Sequence, residues 1–215
     1  MLSVRYFNSS LYLFIIISII IIMDKNTYMN NLEYNLALFG SNFDIMNALH
    51  CGDDKIIKYS QLKNYNSLEE LLPLPFDFKI ILLETARNSG HWVCVLRMSN
   101  VVECFNSYGV TIDSEFRFIP DTIERMLGES RRFLSNLVKK NTTFKVINNT
   151  YKFQSKNTNV ATCSRWVILR IETARMGYTL QDFVNMIHKQ TIKTQLPTDI
   201  LVLNYVHFSG DKPLG

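Results

Sequence analysis

Apolar positions along the chain recur at two spacings, every three or four residues and every second residue, and together they predict a mixture of helices and strands. Between residues 29 and 48 the helical spacing is broken at Gly40-Ser41, which predicts two short helices or one bent helix. Ser67-Leu68-Glu69-Glu70 has the sequence of a capping box, which predicts a short helix that Pro73 and Pro75 end.

Three runs of strand length are rich in apolar and β-branched residues. Residues 78–84 are largely apolar, which is typical of a strand covered on both faces. Residues 91–98 and 101–106 are separated only by Ser99-Asn100, which predicts a β-hairpin.

The register of this hairpin decides which side chains meet. With a loop of two or four residues, paired positions add up to 199, which places Asn106 on the same face as His91, diagonal to it and about 7–8 Å away. An odd loop length would place the two residues on opposite faces. In the even register Glu103 points away from Asn106, and Cys94 and Cys104 lie on opposite faces as small buried residues.

The second half of the chain is expected to be mainly helical. Helices are expected at 120–127, 130–139, 163–176 and 179–189, strands at 144–147 and 200–208, and a polar loop at 155–159. Thr162 is a suitable N-cap, and Thr179 forms a capping box with Asp182. Because helices and strands are intermixed rather than repeated, the predicted fold class is α+β.

Residues 11–23, LYLFIIISIIIIM, are apolar and uncharged and stand apart from the rest of the chain. The segment is shorter than the ~20 residues that cross a bilayer, and no small-x-small cleavage site precedes Met23. It is either a signal or anchor segment, or an extension upstream of a start at Met23. The chain is therefore divided into residues 1–23 and a single domain at 24–215.

Composition and charge restrict the class of function. The net charge is +4, and the longest basic runs are pairs such as Lys139-Lys140, so no specific nucleic-acid partner is predicted. The four cysteines show no C-x-x-C spacing, so neither a zinc site nor a disulfide framework is predicted. No metal and no cofactor are expected.

Cys163 differs from the other cysteines because it follows a polar loop and begins a predicted helix. There the unpaired backbone N–H groups and the helix macrodipole are expected to lower the pKa of the thiol. A thiolate near a histidine forms a nucleophilic pair. Gln154, on the loop that leads in, can donate a side-chain N–H to an oxyanion beside the backbone N–H of Cys163. Taken singly, Cys163 and His91 can also be interpreted as ordinary structural residues, the cysteine as part of the core. Trp92 and Trp166 are expected to be core aromatics.

Read in chain order, these motifs resemble a known family. Gly90-His91-Trp92, Phe105-Asn106-Ser107-Tyr108-Gly109, Gln154 and Thr162-Cys163 are similar to the pattern of the cysteine proteases related to the adenovirus maturation protease (adenain) and to the proteases that remove SUMO. The resemblance covers roughly residues 79–175. It implies a papain-like fold of the adenain/SUMO-protease type, with a central mixed sheet flanked by helices and the nucleophile at a helix N-terminus.

The resemblance also implies a role for each site residue. His91 corresponds to the general base, Asn106 to the residue that orients the imidazole, Gln154 to the oxyanion donor and Cys163 to the nucleophile.

The chain departs from the family pattern at three points. Asn106 stands where the family has a carboxylate, Ser164 replaces the usual Gly beside the substrate channel, and the interval from Gln154 to the cysteine is longer than expected. A weakened or inactive enzyme therefore stays an alternative interpretation. In the family the residue at Trp92 helps to roof the cleft, although strand parity points Trp92 away from His91.

The implied activity is that of a thiol-dependent endopeptidase that cleaves after small residues, often Gly. Abundant Ile and Asn, whose codons are rich in A and T, and the Gly-His-Trp-Val sequence favour a viral or virophage protease that processes capsid precursors in the host cytoplasm or the virion. The alternatives are an isopeptidase acting on ubiquitin-like conjugates and a catalytically inactive interaction module on the same fold. The expected partner is a protein substrate and the expected state a monomer, with membrane association depending on residues 11–23.

Overall fold

Five β-strands form one mixed sheet at the centre of residues 25–214, the part of the chain that the computed structural model describes. The apolar segment at 11–23 lies outside these residues. The strands are β1 (Ile56–Lys58), β2 (Phe76–Ala86), β3 (Ser89–Met98), β4 (Val101–Phe105) and β5 (Lys145–Asn148). They follow one another in chain order across the sheet, with the two outer pairs parallel and the two inner pairs antiparallel.

Helices cover both faces of this sheet, so the α+β class and the flanked central mixed sheet are confirmed. The helices are α1 (Lys25–Ala37), α2 (Asn42–Leu49), α3 (Leu68–Leu71), α4 (Asp121–Leu127), α5 (Phe133–Lys140), α6 (Cys163–Arg175), α7 (Leu180–Thr194) and α8 (Thr198–Leu203). Short 3-10 helices occupy Asp53–Lys55, Tyr59–Asn64 and Ile112–Phe118. Within residues 25–214, no helix combines the length and the apolar character that a bilayer span requires.

The hairpin of β3 and β4 has the predicted register. Its pairs run from Met98 with Val101 to Cys94 with Phe105, and every pair adds up to 199. A two-residue loop joins the strands, and Ser99 takes the left-handed conformation there with φ of 54°. Because β4 ends opposite Cys94 while β3 continues back to Ser89, the first residues of β3 extend past their neighbour on that side.

Alternation along β3 divides the core into two clusters, one on each face of the sheet. Trp92 and Cys94 belong to the cluster beneath α6, and Val93 and Val95 belong to the cluster on the other face. Cys104 lies in this second cluster, so the two strand cysteines are buried on opposite faces as predicted. This division places His91 and Trp92 on different faces of the sheet.

The predicted pair of helices at the start of the domain is confirmed, with α1 and α2 separated at Gly40. Ser41 caps α2: its hydroxyl accepts from Asp44 N–H, and the Asp44 carboxylate accepts from Ser41 N–H at 2.9 Å. The capping box of Thr179 and Asp182 likewise begins α7, which continues five residues beyond the predicted end.

The predicted closing strand at 200–208 is wrong, because residues 198–203 form α8. Leu201, Val202 and Leu203 are all buried, since α8 packs against α1, α6 and α7. A helix buried on most sides has the same continuous apolar pattern as a buried strand. One edge of the sheet is formed by β1, a three-residue strand that sequence reasoning did not predict.

A buried ion pair joins the hairpin to α6. The Arg170 guanidinium donates from Nε and Nη2 to the two carboxylate oxygens of Glu103, both at 2.8 Å, and both side chains are fully buried. Glu103 therefore faces α6, on the side of the sheet opposite Asn106, as the register predicts.

Removing one partner of this pair is expected to destabilise the fold strongly. Glu103→Leu leaves the Arg170 charge buried without compensation, which costs about 3–5 kcal/mol in the free energy of unfolding. Glu172→Gln breaks the partly exposed ion pair with Arg175 on the same helix and is the matched control, expected to cost less than about 1 kcal/mol. Urea unfolding of both variants measures the difference, and equal losses would contradict this account.

Candidate active site

His91 and Asn106 meet at the end of the hairpin. His91 lies in the part of β3 that extends past β4, and Asn106 is the first residue after β4. The imidazole Nε2 lies 3.0 Å from Asn106 Oδ1, and both residues are buried. The side chains thus close the diagonal gap that the register predicts.

A tight turn after β4 fixes the Asn106 side chain. Tyr108 N–H donates to Asn106 Oδ1 at 2.9 Å, and Gly109 N–H donates to Asn106 C=O at 2.9 Å. Gly109 has φ of 71°, and its Cα lies so close to the Tyr151 backbone that a Cβ would collide with it. Such a turn, with an Asn side chain accepting from the backbone two residues on, is a common role of Asn.

This turn also determines which ring nitrogen of His91 carries the proton. A backbone N–H can only donate, so the atom of Asn106 that faces Tyr108 N must be the amide oxygen. The same oxygen faces His91 Nε2, which therefore carries a hydrogen. In the neutral ring the lone pair is then on Nδ1. His91 Nδ1 is buried and has no hydrogen-bond partner within residues 25–214.

Tyr108 covers the His91 ring, and Lys156 lies over Tyr108. The Tyr108 ring stacks on the imidazole, with centroids 4.2 Å apart and planes 10° from parallel. The Lys156 ammonium lies 5.0 Å from the centre of the Tyr108 ring. Burial lowers the pKa of His91 to about 4, with the nearby Lys156 charge acting in the same direction and the Asn106 hydrogen bond opposing both. His91 is therefore neutral near pH 7.

Cys163 is the first residue of α6, as predicted, and is 3% exposed. Backbone N–H groups of Trp92, Ser164 and Cys163 itself interact favourably with the thiolate form, but burial has the larger effect and raises the thiol pKa to about 11. The expectation that the helix N-terminus lowers this pKa is wrong, because desolvation exceeds the contribution of the N–H groups.

Cys163 and His91 are linked through their neighbours, and the described residues show no hydrogen bond between the two side chains. The sulfur faces the backbone N–H of Trp92, the residue after His91. The charge of a Cys163 thiolate also acts on Tyr108, the residue stacked on His91. Trp92 and Tyr108 thus connect the two side chains, and hydrogen bonds between a thiol and a histidine of this kind often form only in a substrate complex.

Thr162 does not cap α6 through its side chain, contrary to expectation. Its hydroxyl donates instead to Asp199 Oδ1 at 2.6 Å, and Asp199 Oδ2 accepts from Ser155 N–H at 2.8 Å. The first turn of α8 therefore holds the loop that leads to Cys163.

Gln154 connects the Asn106 turn with the start of α6. Its Oε1 accepts from the Ser107 hydroxyl at 2.7 Å, and its Nε2 donates to Val160 C=O at 3.1 Å. Ser107 follows Asn106, and Val160 lies three residues before Cys163. The side-chain amide carries two hydrogens on Nε2, and the bond to Val160 uses one of them.

Sequence reasoning missed two residues of this site. Tyr108 covers His91, and Glu115 accepts from Asn106 Nδ2 at 3.5 Å. Tyr108 was within reach of sequence analysis because an Asn turn fixes the residue two positions on. Nothing in the local sequence pattern distinguishes Glu115 from the other acidic residues, since its place depends on how the 3-10 helix at 112–118 packs.

Trp92 and Ser164 lie under the segment that joins α1 to α2. The Trp92 indole N–H donates to Gly40 C=O at 3.0 Å. Ser164 is fully buried, and a Cβ on Gly40 would collide with its side chain. Glycine is therefore required at position 40, and Ser164 supports the segment from below instead of facing solvent.

A surface cleft of about 460 Å³ lies beside these residues. Gly90 and Trp92 form one wall, on either side of His91 in sequence, and the α1–α2 segment forms the other. Phe39 and Phe43 stand at its rim with 61% and 64% of their surface exposed. Exposed aromatic side chains around a cleft are typical of a binding surface.

The described residues therefore form an α+β protein that gathers a cysteine, a histidine and two side-chain amides at one end of a mixed sheet. No protein-family model and no solved structure matches the chain. Over 146 residues the chain is 34% identical to uncharacterized protein V9 of the Sputnik virophage, an alignment that covers 66% of this chain and 81% of that protein. The chain belongs to the same protein family as this virophage protein.

The buried neutral state of His91 is expected to make stability depend on pH. Its pKa is about 4 in the folded chain and ~6.5 when unfolded, so between these values the unfolded chain binds a proton that the folded chain does not. Stability from this residue is therefore present above pH ~6.5 and is lost as pH falls, by about 2 kcal/mol between pH 7 and pH 5.

Urea unfolding of wild type and His91→Gln at both pH values measures this contribution. Between pH 7 and pH 5 the free energy of unfolding of His91→Gln should fall by about 2 kcal/mol less than that of wild type. His188→Gln, which replaces an exposed histidine of α7, is the control and should behave like wild type. An acid loss of the same size in all three proteins would refute the assignment.

Proposed function

We propose that this chain is a cysteine protease with a papain-like fold of the adenain/SUMO-protease type, which cleaves viral capsid precursors after small residues. The proposed catalytic residues are Cys163, His91, Asn106 and Gln154. Kinship with a virophage protein supports the viral setting.

The observation that carries the proposal is the fixed orientation of the His91 ring. Asn106 Oδ1 accepts from Tyr108 N–H and therefore requires Nε2–H in the neutral imidazole. This leaves the lone pair of Nδ1 buried and without a partner among the described residues, while the Cys163 sulfur faces the backbone N–H of Trp92, the residue after His91. A structural histidine normally satisfies both ring nitrogens when it is buried.

The first half of the proposed reaction acylates Cys163. His91 Nδ1 accepts the thiol proton as the sulfur attacks the carbonyl carbon of the scissile amide. The carbonyl oxygen becomes an oxyanion, which the Cys163 backbone N–H and the second Nε2 hydrogen of Gln154 stabilise. The C–N bond then breaks, and His91 gives the proton from Nδ1 to the leaving amine.

The second half releases the product and restores the resting state. His91 Nδ1 accepts a proton from a water molecule that attacks the thioester carbon. The C–S bond breaks, the acid product leaves, and the proton returns from Nδ1 to the Cys163 sulfur. Asn106 accepts from Nε2–H throughout, so the ring keeps its orientation.

The cleft beside Trp92 is the proposed binding site for the substrate segment before the scissile bond. Gly90 and Trp92 of the cleft wall flank the proposed general base in sequence, and Gly40 lies against Ser164, the residue after the proposed nucleophile. A peptide in the cleft would therefore run past the residues that adjoin His91 and Cys163. The walls approach closely at Trp92 and Gly40, which supports a preference for small residues there.

One observation favours a catalytically inactive interaction module as a second candidate. Burial raises the Cys163 pKa to about 11 and lowers the His91 pKa to about 4, so the resting pair is a thiol and an imidazole, not an ion pair. In a protease the thiol proton of Cys163 must move to His91 during the reaction. In an inactive module this proton would stay on the sulfur.

Sequencing of new chain ends tests the protease proposal. The full chain is incubated with a mixed proteome that includes viral structural precursors. Cys163→Ala is tested beside it, with Cys51→Ala as the control, which removes the partly exposed thiol two residues after α2. Wild type and the control should produce the same new N-termini, preceded mainly by small residues. Cys163→Ala should produce none of them, because it lacks the nucleophile.

Identical chain ends from wild type and Cys163→Ala would contradict the protease proposal and favour the inactive module. New chain ends that Cys163→Ala also produces could come only from another protease in the mixture.

A further inference from the structure

Glu115 lies directly behind Asn106, on the side away from His91. It belongs to the 3-10 helix Ile112–Phe118 and is 8% exposed. Its Oε1 accepts from Asn106 Nδ2 at 3.5 Å and lies 3.8 Å from Lys156 Nζ. His91, Asn106 and Glu115 thus form a line of polar groups that ends in a carboxylate.

Proton transfer from Cys163 would create a positive charge on His91 in a buried place. The Asn106 amide accepts a hydrogen bond but carries no net charge, and burying a charge without compensation is costly. The cation that acts on His91 is Lys156, which disfavours a second positive charge. Glu115 is the carboxylate that pairs with Lys156 and contacts the orienting amide.

The charged groups near Glu115 differ from it in sign or in contact. Asp199 is a second carboxylate whose charge acts on Tyr108, but its oxygens accept from the Thr162 hydroxyl and Ser155 N–H and not from Asn106. Lys156 and Arg117 are the cations that act on its carboxylate, and Tyr108 is a neutral phenol whose pKa burial raises to about 12. Burial raises the pKa of Glu115, while Lys156, the Asn106 hydrogen bond and Arg117 oppose this.

We propose that Glu115 is a positioning residue that acts on His91 through the Asn106 amide and supplies the negative charge that this amide lacks. Its hydrogen bond with Nδ2 and the Tyr108 N–H bond to Oδ1 hold the amide in the same orientation, since a flipped amide would lose both. Glu115 thereby favours the imidazolium that forms when Cys163 loses its proton. The inference rests on the proposed function of the Cys163–His91 pair.

The rate at which iodoacetamide alkylates Cys163 at neutral pH tests this role without a protease substrate, because only the thiolate reacts. The rate is followed at Cys163 by peptide mass spectrometry on the full chain. Glu115→Gln keeps the size of the side chain and removes its charge, and should slow alkylation roughly three- to tenfold, since the charge acts at some distance and Lys156 offsets part of it. Glu33→Gln, at an exposed position of α1, is the charge-matched control and should leave the rate unchanged.

Two further variants separate charge from folding. Lys156→Met removes the opposing cation from a partly exposed position and should accelerate alkylation, the opposite sign from Glu115→Gln. In the Asn106→Asp background a carboxylate already adjoins the ring, so Glu115→Gln should no longer slow the reaction. A structural role for Glu115 would predict the same slowing in both backgrounds and no acceleration with Lys156→Met.

The outcomes distinguish this inference from the proposed function. If His91→Ala slows alkylation of Cys163 but Glu115→Gln and Lys156→Met have no effect, the role of Glu115 is overturned and the Cys163–His91 pair stands. If His91→Ala also has no effect, the pair itself fails. If thermal denaturation shows that Glu115→Gln is unfolded, the test depends on Lys156→Met alone. Faster alkylation of Cys163 in that variant supports the inference, and an unchanged rate overturns it.

Discussion

The candidate site depends on one oxygen atom, Oδ1 of Asn106, which lies within hydrogen-bond distance of two nitrogens. Because Tyr108 N–H donates to this atom, the atom must be the amide oxygen and not the amide nitrogen. His91 Nε2 must then be the second donor to it. From this follow the ring tautomer, the lone pair on Nδ1 and the direction of the remaining amide hydrogens toward Glu115. The tight turn after β4 thus sets the chemistry of a residue in the neighbouring strand.

Burial accounts for the protonation states of Cys163 and His91. The same desolvation raises the pKa of Cys163 and lowers that of His91, so both groups are neutral at rest although one stands at a helix N-terminus. A neutral pair costs the fold less than a buried ion pair would. It also means that charge separates only during the proposed reaction, which is where the Asn106 amide and the carboxylate behind it would act.

Local rules predicted those parts of the molecule in which neighbours in sequence decide the structure. The two-residue loop at Ser99-Asn100 fixed the hairpin register and with it the face shared by His91 and Asn106. Two predictions were wrong because tertiary burial decides the outcome. They are the strand at 200–208, which is a buried helix, and the lowered pKa of the Cys163 thiol, which burial raises. Glu115 reaches Asn106 only through packing of the 112–118 segment, which no pattern of spacing encodes.

The tautomer of His91 is the most direct test of this account. Long-range ¹H–¹⁵N correlation spectra of the full chain report which imidazole nitrogen is protonated at neutral pH. We expect that Nε2 carries the proton and Nδ1 does not. A resting tautomer with the proton on Nδ1 would contradict it, because Asn106 could then no longer accept from the ring and His91 could not receive a proton at the nitrogen proposed to act as the base.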